Sequence, residues 1–364
     1  MIETKPNKKA EPIVFDEHLE DSQEDTYSVK VVDDTYTFQT QVPPMKVLFI
    51  IHGYADTMGS GAERMVQSIS EYFVSRGHEV TIAVKRPNGG EVDGVKIVRC
   101  QNKAFEATVK DYDVVISHLD LTNYAMNLAR EHNKPYIWIA HNTHKDAYVT
   151  ISKRPKYAHI IYNAEWVREE LGFPNPGILL TPPTQYSKWA DGVDHYGCEY
   201  ITLVNHNRNK GGSILVKIAR EMPDRKFLAV EGSYDIQIKD TTVPNIKYVK
   251  NTQDMKKIYG MSRIVLMPSD YESWGMVASE AAAAGCPVIC TATKGLVENL
   301  GDAGVYVERT DIEAWVAAIK SLDDKAEYKK VAKAQQDRIK EQDPMKQLEQ
   351  LENWIYGIWQ SNNK

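Results

Sequence analysis

Two glutamates, Glu272 and Glu280, are separated by seven residues in the stretch DYESWGMVASEAAAAGCP. The apolar run RIVLMPS before them is typical of a buried strand, and the alanine-rich GMVASEAAAAG is typical of a helix that ends at Gly285. The first amides of such a helix, near Trp274 to Val277, lack partners within the helix and carry the positive end of its dipole. The spacing therefore predicts an anion site bordered by two acids.

Carboxylates beside a bound diphosphate are repelled unless their oxygens accept hydrogen bonds from another part of the ligand, and sugar hydroxyls are such donors. Glu280 lies three and four residues beyond Val277 and Met276, so it shares their helix face and points toward the first turn. There it can accept from a ribose diol, while Glu272, before the helix, can reach a second sugar. The alternative interpretation is two ordinary solvated acids, which the strand, loop and helix setting disfavours.

The stretch ESWGMVASE resembles the E-x7-E motif of retaining glycosyltransferases with the GT-B architecture, in particular family 4, which use nucleotide-sugar donors. The similarity continues through AAAAGCPVICTATKGLVENLGDAGVYV, with Glu298 at an acid position of that family, and covers roughly residues 45–340. It implies that Glu272 binds the donor sugar, that the amides after it bind the sugar and diphosphate, and that Glu280 binds the ribose. The donor-binding residues implied on this stretch are Glu272, Ser273, Trp274, Gly275, Met276, Val277 and Glu280.

The stretch NHNRNKGG places Lys210 where the family has its donor-phosphate lysine. Five residues earlier the family has an arginine, but this chain has Asn205, and Arg208 is expected to supply the missing charge. Leu296 is a second departure, because it stands where the family's second glycine falls. The resemblance implies donor contacts from Asn205, Arg208 and Lys210.

The segment HGYADTMGSGAERMV lies between the first strand and the first helix. The spacing of Gly59 and Gly61 is that of a dinucleotide-binding loop, but Arg64 replaces the third glycine and no acid follows the second strand. The segment is more similar to the GGAER-like loop of family 4 enzymes. That similarity implies that Gly59, Ser60 and Gly61 face the donor.

Histidines follow two of the apolar runs: His118 follows DVVIS, and His141 follows YIWIA. Both are therefore expected at the carboxyl edge of the sheet, where open α/β sheets bind ligands. By resemblance, His141 matches a histidine of the family's donor-sugar and catalytic pocket, while His118, Asp120 and His144 are expected to face the acceptor. The His-x-x-His spacing is not typical of a metal site, so we expect no metal ligands.

Short apolar runs rich in β-branched residues alternate with amphipathic helical segments from Met45 onward. The strand candidates of the first half are KVLFIIH, EVTIAV, VKIVRC, DVVISH and YIWIAH, and those of the second are YITLVN, KFLAVEG, IKYVK, RIVLMPS, PVICTAT and AGVYVE. Such strands separated by helices predict parallel sheets covered on both faces. We predict an α/β protein with two doubly wound, Rossmann-like domains facing across a cleft, which is the GT-B architecture, preceded by an N-terminal accessory segment.

The domain boundaries follow changes in composition. Residues 1–44 form the accessory segment, where alternating apolar residues around Asp33 and Asp34 suggest a hairpin. Residues 45–183 are assigned to the acceptor-side domain and residues 184–340 to the nucleotide-sugar donor domain, with a proline-rich break between them. In residues 341–364 an apolar stripe predicts a C-terminal helix that crosses back to the first domain, with its apolar residues at Leu348, Leu351, Ile355 and Trp359.

The composition narrows the class of protein. With 364 residues and a net charge of −6, the chain is long enough for two cores and is not suited to bulk attraction to nucleic acid. The four cysteines form no CxxC pair, the N-terminus has no apolar leader, and no apolar run is long enough to span a bilayer. We expect a cytoplasmic protein.

Together these features predict a retaining glycosyltransferase that moves a sugar from a nucleotide diphosphate donor, with UDP expected, to a hydroxyl acceptor. His141, Glu272 and Lys210 are the implied catalytic residues, and no obligatory cofactor is expected. Alternatives left open are transfer to hydroxymethylated bases of phage DNA, a nucleotide-sugar epimerase or phosphorylase, an NADP-dependent oxidoreductase, and a silent sugar-nucleotide binding module. The sequence does not define the acceptor.

Overall fold

The computed structural model describes residues 42–54, 60–87, 90–153, 155–190 and 192–363. The hairpin expected in residues 1–44 and the predicted donor-binding Gly59 lie outside the described residues. Within the described part of the chain, no helix combines the length and the apolar content needed to cross a membrane.

The first sheet is built from the apolar runs of the N-terminal half. Its strands, β1 to β8 in chain order, are Lys46–Ile50, Glu79–Val84, Glu91–Val92, Val95–Arg99, Val114–Ser117, Tyr136–Ala140, His159–Tyr162 and Gly177–Leu179. They lie in the order β3-β4-β2-β1-β5-β6-β7-β8, and all neighbours are parallel except β3 and β4. The very short β3, β7 and β8 were not among the strands predicted from the sequence.

Helices connect these parallel strands and cover both faces of the sheet. They are α1 to α5, at Gly61–Ser75, Lys103–Glu106, Thr122–Glu131, Lys145–Lys153 and Glu165–Leu171. Because successive strand side chains point to opposite faces, Phe49 and Ile116 belong to one buried cluster, whereas Leu48 and Val115 belong to the other. Two apolar cores therefore enclose the sheet, as expected for strands that are buried on both sides.

The second sheet repeats this design in the C-terminal half. Its strands, β9 to β14, are Tyr200–Val204, Lys226–Val230, Ile246–Val249, Ser262–Met267, Val288–Cys290 and Val305–Tyr306, in the order β11-β10-β9-β12-β13-β14 with parallel neighbours throughout. The helices of this half, α6 to α13, are Tyr186–Trp189, Gly212–Glu221, Met255–Tyr259, Met276–Ala284, Lys294–Leu300, Ile312–Ser321, Lys325–Glu341 and Pro344–Asn362.

The final helix, α13, packs against the core of the first sheet. Leu348, Leu351 and Ile355 are buried in that core, and Trp359 packs at its edge. On the same helix the buried Glu352 accepts hydrogen bonds from Arg76 and pairs with His78 at 2.9 Å. Burial alone would raise the pKa of Glu352, but these partners lower it, so α13 is attached to the first sheet by an ionised carboxylate as well as by apolar contact.

Strand order reverses once in each sheet, between β1 and β5 in the first and between β9 and β12 in the second. In doubly wound sheets such reversal points open crevices at the carboxyl ends of the strands, which are the usual ligand sites. The structure therefore confirms the prediction of two Rossmann-like domains. It also brings the loops after β1, β5, β6, β9 and β12 to one cleft.

Candidate active site

The cleft between the two sheets has a volume of about 530 Å³. The strand-end loops of both sheets line it, together with the first turns of α1 and α9. A smaller cavity of about 450 Å³, next to α6 and α12, contains none of the predicted site residues. Those that line the cleft are Ser60, Gly61, His141, His144, Asn205, Lys210, Glu272, Ser273, Trp274, Gly275, Met276, Val277 and Glu280.

Helix α9 begins at the cleft through a glycine in the left-handed region. Gly275 has a φ of +89°, and a Cβ on it would lie 2.6 Å from Leu296 Cδ2. Leu296, where the family pattern has a glycine, is thus accommodated by packing over the bare Gly275. The first intrahelical bond runs from the Ala278 amide to the Gly275 carbonyl at 2.8 Å, so the helix geometry leaves the preceding amides at the cleft for an anion.

Lys210 and Glu272 form an ion pair in front of this helix start. Lys210 Nζ is 2.7 Å from Glu272 Oε1, which also accepts a 2.8 Å hydrogen bond from Ser269 Oγ. Burial would lower the pKa of Lys210, but the adjacent Glu272 carboxylate outweighs it and raises that pKa, so the ammonium is retained. Gly211 sets the approach of the lysine loop, because a Cβ there would lie 2.4 Å from Pro268.

Glu280 occupies a different environment from Glu272 although both line the cleft. Its side chain is buried, and Oε2 accepts a 2.8 Å hydrogen bond from the Tyr259 hydroxyl. Burial raises the pKa of Glu280, and the nearby Arg64 charge and the Tyr259 bond offset this only in part. Glu280 is therefore a buried acid at the cleft whose ionised form is disfavoured, whereas Glu272 forms an ion pair with Lys210. We call Lys210, Glu272, Glu280 and the first turn of α9 the charged wall.

Histidines form the opposite side of the cleft. His141 follows β6 and lines the cleft, and its Nε2 lies 2.8 Å from His118 Nδ1. Burial lowers the pKa of His141 to about 4 and that of His118 well below its usual value, so both rings are neutral near pH 7. Asn163 links His141 to the other domain, since its Nδ2 donates to His141 O at 3.1 Å and to Ser273 Oγ at 3.2 Å.

The acceptor-side residues predicted from the sequence separate in the structure. His118 is fully buried behind His141 and does not line the cleft, which corrects the expectation that it faces the acceptor. It follows β5 directly, and its ring turns inward to bond the histidine of the next strand. Asp120 is exposed and outside the cleft lining, whereas His144 lines the cleft and stacks on Tyr271 with ring centroids 4.7 Å apart.

The cation expected near Asn205 is placed differently from the prediction. Arg208 is exposed and does not line the cleft, because its loop is held with its backbone carbonyl accepting from Arg309 Nη2 at 3.0 Å. Asn205 does line the cleft, with its Oδ1 accepting from Gln237 Nε2 at 3.1 Å. Arg64 lines the cleft from the first turn of α1, so a basic residue enters from the N-terminal side instead.

Glu298 joins the two domains. Its carboxylate accepts from the backbone amides of Glu165 and Trp166, at 2.7 and 2.9 Å, at the start of α5. The indole of Trp166 in turn donates to the Ser273 carbonyl at 2.8 Å. These contacts cap a helix of the first domain with an acid of the second, and they fix the cleft wall near Ser273.

His52 and Glu63 are among the site residues that the sequence did not predict. His52 follows β1, and its Nε2 lies 2.7 Å from Glu63 Oε1 in the first turn of α1. The bond to Glu63 raises the pKa of His52, while the bonds from His52 and Ser60 overcome burial and lower the pKa of Glu63. His52 had the same signal as His118 and His141, a histidine directly after an apolar strand. We call Glu63, His52, His118 and His141 the histidine chain.

Three side chains of this group could also hold a metal ion. His52, Glu63 and His118 each offer one ligand atom, and these atoms lie within 4.8 Å of one another. Two histidines and a carboxylate are a set that zinc can use. In the structure, however, the His52–Glu63 ion pair and the His118–His141 hydrogen bond already engage these side chains with one another.

Comparison with known proteins identifies relatives of this arrangement. Residues 237–338 match the family described as glycosyl transferases group 1. A glycosyltransferase of Methanocaldococcus jannaschii is 39% identical over an alignment covering 74% of this chain and 87% of that protein. The O-antigen chain mannosyltransferase B of Escherichia coli is 37% identical over 20% of this chain, and the chain matches only 19% of that protein's length.

Two solved structures share the fold. Sucrose-phosphate synthase from Thermosynechococcus elongatus superposes with a TM-score of 0.71 at 18% identity, covering 86% of this chain and 98% of that one. Anabaena HepE in complex with UDP and glucose superposes with a TM-score of 0.70 at 14% identity, covering 85% and 99%. At these identities the likeness concerns the architecture alone.

Proposed function

Since this chain belongs to the group 1 glycosyltransferase family, with the GT-B fold predicted from its sequence, we propose that it is a retaining, family 4 type enzyme. It transfers a sugar from a nucleotide diphosphate donor to a hydroxyl acceptor without an obligatory metal. Glu272 and Glu280 are the two acids of its E-x7-E motif.

The contact between Lys210 and Glu272 is the observation that carries this proposal. The pair lies 2.7 Å apart in the cleft, in front of the α9 amides. One cation, one acid and a helix start are thus directed at the same space. A bound diphosphate is stabilised by the cation and by the helix start, while the hydroxyls of a sugar can donate hydrogen bonds to the acid.

The mechanism rests on placement and electrostatics. As the bond between the anomeric carbon and the diphosphate oxygen breaks, Lys210 and the α9 amides stabilise the charge that develops on the leaving diphosphate. The acceptor hydroxyl attacks from the same face of the sugar, and its proton passes to the departing phosphate oxygen. Glu272 and His141 hold the sugar hydroxyls, and no carboxylate forms a covalent intermediate.

UDP is the nucleotide we propose for the donor. The support is the architecture shared with HepE, which binds UDP and glucose, together with the placement of Glu280 under the cleft. Glu280 has one oxygen bonded to Tyr259 and a second oxygen for a ribose hydroxyl. Near it Thr252 and Met255 line the cleft where a nucleobase would lie.

A donor screen followed by one substitution tests the proposal. Nucleoside diphosphate sugars that bind the folded protein should raise its Tm, and the best donor then serves in a transfer assay with candidate acceptors. We expect Glu272→Ala to lose on the order of 10²-fold in kcat/KM, because it removes a preorganised polar contact. The matched control is Asp270→Ala, an exposed acid in the same loop outside the cleft, which should keep near wild-type activity.

An unchanged rate in Glu272→Ala would reject the assigned role. The products distinguish the neighbouring functions of this scaffold. Isomerised donor without an acceptor would indicate an epimerase, and a requirement for phosphate would indicate a phosphorylase. Inversion at the anomeric carbon would reject the retaining mechanism.

A further inference from the structure

The turn that follows β10 presents a tyrosine to the cleft. Tyr234 lines the cleft, and 45% of its surface is exposed. Its hydroxyl makes no hydrogen bond within the described part of the chain. A tyrosine combines an apolar ring with a polar tip that usually has a partner. The tip of Tyr234 is therefore available to a ligand in the cleft.

Gln237 holds this turn against the loop that follows β9. Its Oε1 accepts from the Gly232 amide at 3.0 Å, while its Nε2 donates to the Tyr234 carbonyl at 3.0 Å and to Asn205 Oδ1 at 3.1 Å. A Cβ on Gly232 would lie 2.2 Å from Asn205 Cγ, so the two loops approach this closely only because residue 232 is a glycine. The backbone of Tyr234 is thus placed without any hydrogen bond from its own side chain.

The loop after β9 also carries Lys210, and Asn207 connects the lysine with the turn. Asn207 Oδ1 accepts from the Lys210 amide at 2.8 Å, and Asn207 Nδ2 donates to Asp235 Oδ2 at 3.3 Å. Asn207 and Gln237 also form an antiparallel β-bridge. The lysine and the tyrosine therefore belong to one connected pair of loops.

The Tyr234 hydroxyl lies near the ion pair of Lys210 and Glu272. Burial raises the pKa of Tyr234, the Lys210 charge lowers it, and the Glu272 charge raises it again. Both charges thus act on the phenolic oxygen. Because the pKa remains above its ordinary value, the hydroxyl keeps its proton near pH 7 and can donate a hydrogen bond.

A diphosphate in front of α9 has room for a donor besides Lys210. The lysine charge is shared with Glu272 at 2.7 Å. Arg64 also lines the cleft, but it donates to Gln253 at 3.3 Å and its charge lies near Glu280, at the end where we place the nucleoside. Phosphate oxygens accept hydrogen bonds from neutral hydroxyls as well as from cations. A neutral hydroxyl next to the lysine adds such a bond without burying a further charge.

We infer that Tyr234 is a further donor-binding residue, whose hydroxyl donates a hydrogen bond to the diphosphate beside Lys210. The inference rests on the proposed function for its ligand, a nucleotide diphosphate. Gln237 is a positioning residue, since it holds the turn and does not line the cleft.

Tyr234→Phe tests the hydroxyl alone. The substitution removes one hydrogen bond to a charged acceptor, so we expect the Kd of UDP, measured by calorimetry, to rise about tenfold. The Kd of inorganic diphosphate, measured by competition with UDP, should rise by a similar factor. Two controls should keep the wild-type Kd. Ile236→Ala changes an 89% exposed side chain of the same turn, and Tyr356→Phe makes the same chemical change on α13, where the hydroxyl accepts from Gln360.

Gln237→Ala tests how the hydroxyl is positioned. We expect the Kd of UDP to rise by a factor similar to that of Tyr234→Phe, because the turn loses its bonds to Asn205. Adding Tyr234→Phe to Gln237→Ala should then raise the Kd by less than about twofold more, since the hydroxyl is no longer held in place. Fully additive losses would reject the positioning role of Gln237.

An unchanged Kd of UDP in Tyr234→Phe overturns the inference. It does so even where Tyr234→Ala loses affinity, because the ring and not the hydroxyl would then contact the donor. A rise for UDP with no rise for inorganic diphosphate also overturns it, since the hydroxyl would then bind the nucleoside. The proposed function survives all of these results. If the wild type binds no nucleoside diphosphate, the proposed function fails and this inference fails with it.

Discussion

The two sides of the cleft present different polar groups to a ligand, since one carries charged side chains and the other a neutral histidine ring. The charged wall places a formal cation and a formal anion 2.7 Å apart at the start of a helix. The histidine chain instead presents the neutral ring of His141, and its acid, Glu63, is buried and does not line the cleft. Both sides use loops at the carboxyl ends of parallel strands, so the fold itself does not explain the difference.

The difference between the two sides follows from the part of the ligand that each side would face. A leaving diphosphate gains charge during the reaction and is stabilised by groups with charge in place. A sugar hydroxyl needs direction more than charge, and a ring nitrogen with one defined lone pair supplies direction. Substitutions on the charged wall should therefore affect rate most, whereas those on the histidine chain should affect orientation.

Lys210→Ala should give the largest effect. We expect a loss of between about 10² and 10³ in kcat, because it removes the cation nearest the leaving diphosphate and leaves Glu272 without its partner. Steady-state kinetics with the donor found by the screen measures it. The comparison variant is Arg208→Ala, which removes a nearby exposed cation and should change kcat less than about threefold.

Equal losses in the two variants would contradict this account, since they would mean that Arg208 reaches the phosphates in the working enzyme. The sequence had assigned donor contact to both residues. Arg64, from the other side of the cleft, would then not be needed as the second basic residue.

Glu280→Gln should give a smaller effect, weakening the binding of UDP while stabilising the free protein. We expect the affinity for UDP to fall about fivefold, since a neutral acceptor replaces a charged one, and the Tm of the free protein to rise about 2 °C. Burial raises the pKa of Glu280 in the folded protein. The stability that protonated Glu280 contributes is therefore fully present below the pKa of an unfolded glutamate, and it is lost as the pH rises through the pKa of the folded state.

The gain in Tm should therefore be greatest near neutral pH and should shrink as the pH falls. Calorimetric titration and thermal unfolding at several pH values measure the two quantities. A free variant less stable than the wild type at pH 7 would show that Glu280 is not a destabilising acid.

Much of this site could be predicted because its signals are local. The strand, glycine and helix pattern around Glu272 is continuous in the sequence, and the structure places residues 271–277 and Glu280 of that stretch at the cleft. The doubly wound sheets followed from repeated apolar runs. Length alone does not explain why β7 and β8 were missed, because β11 and β13 are as short and were predicted; β8 lies in the proline-rich break between the domains.

The histidine chain could be predicted only in part because it depends on strand order. His52, His118 and His141 follow β1, β5 and β6, which are adjacent in the sheet although distant in the chain. Sequence analysis placed two of these rings at the right edge but could not tell which one would be buried behind the other. Likewise, the Arg208 backbone carbonyl accepts a hydrogen bond from Arg309 Nη2, about a hundred residues later in the chain, which a local pattern cannot reveal.

Amide hydrogen exchange in the α9 first turn tests the central claim most directly. The amides of Met276 and Val277 precede the first intrahelical bond, so in the free protein they should exchange quickly. On saturation with UDP we predict slower exchange in a peptide covering residues 268–284, and loss of that protection in Lys210→Ala. Saturating UDP that leaves this peptide unchanged and protects another part of the chain would contradict the account.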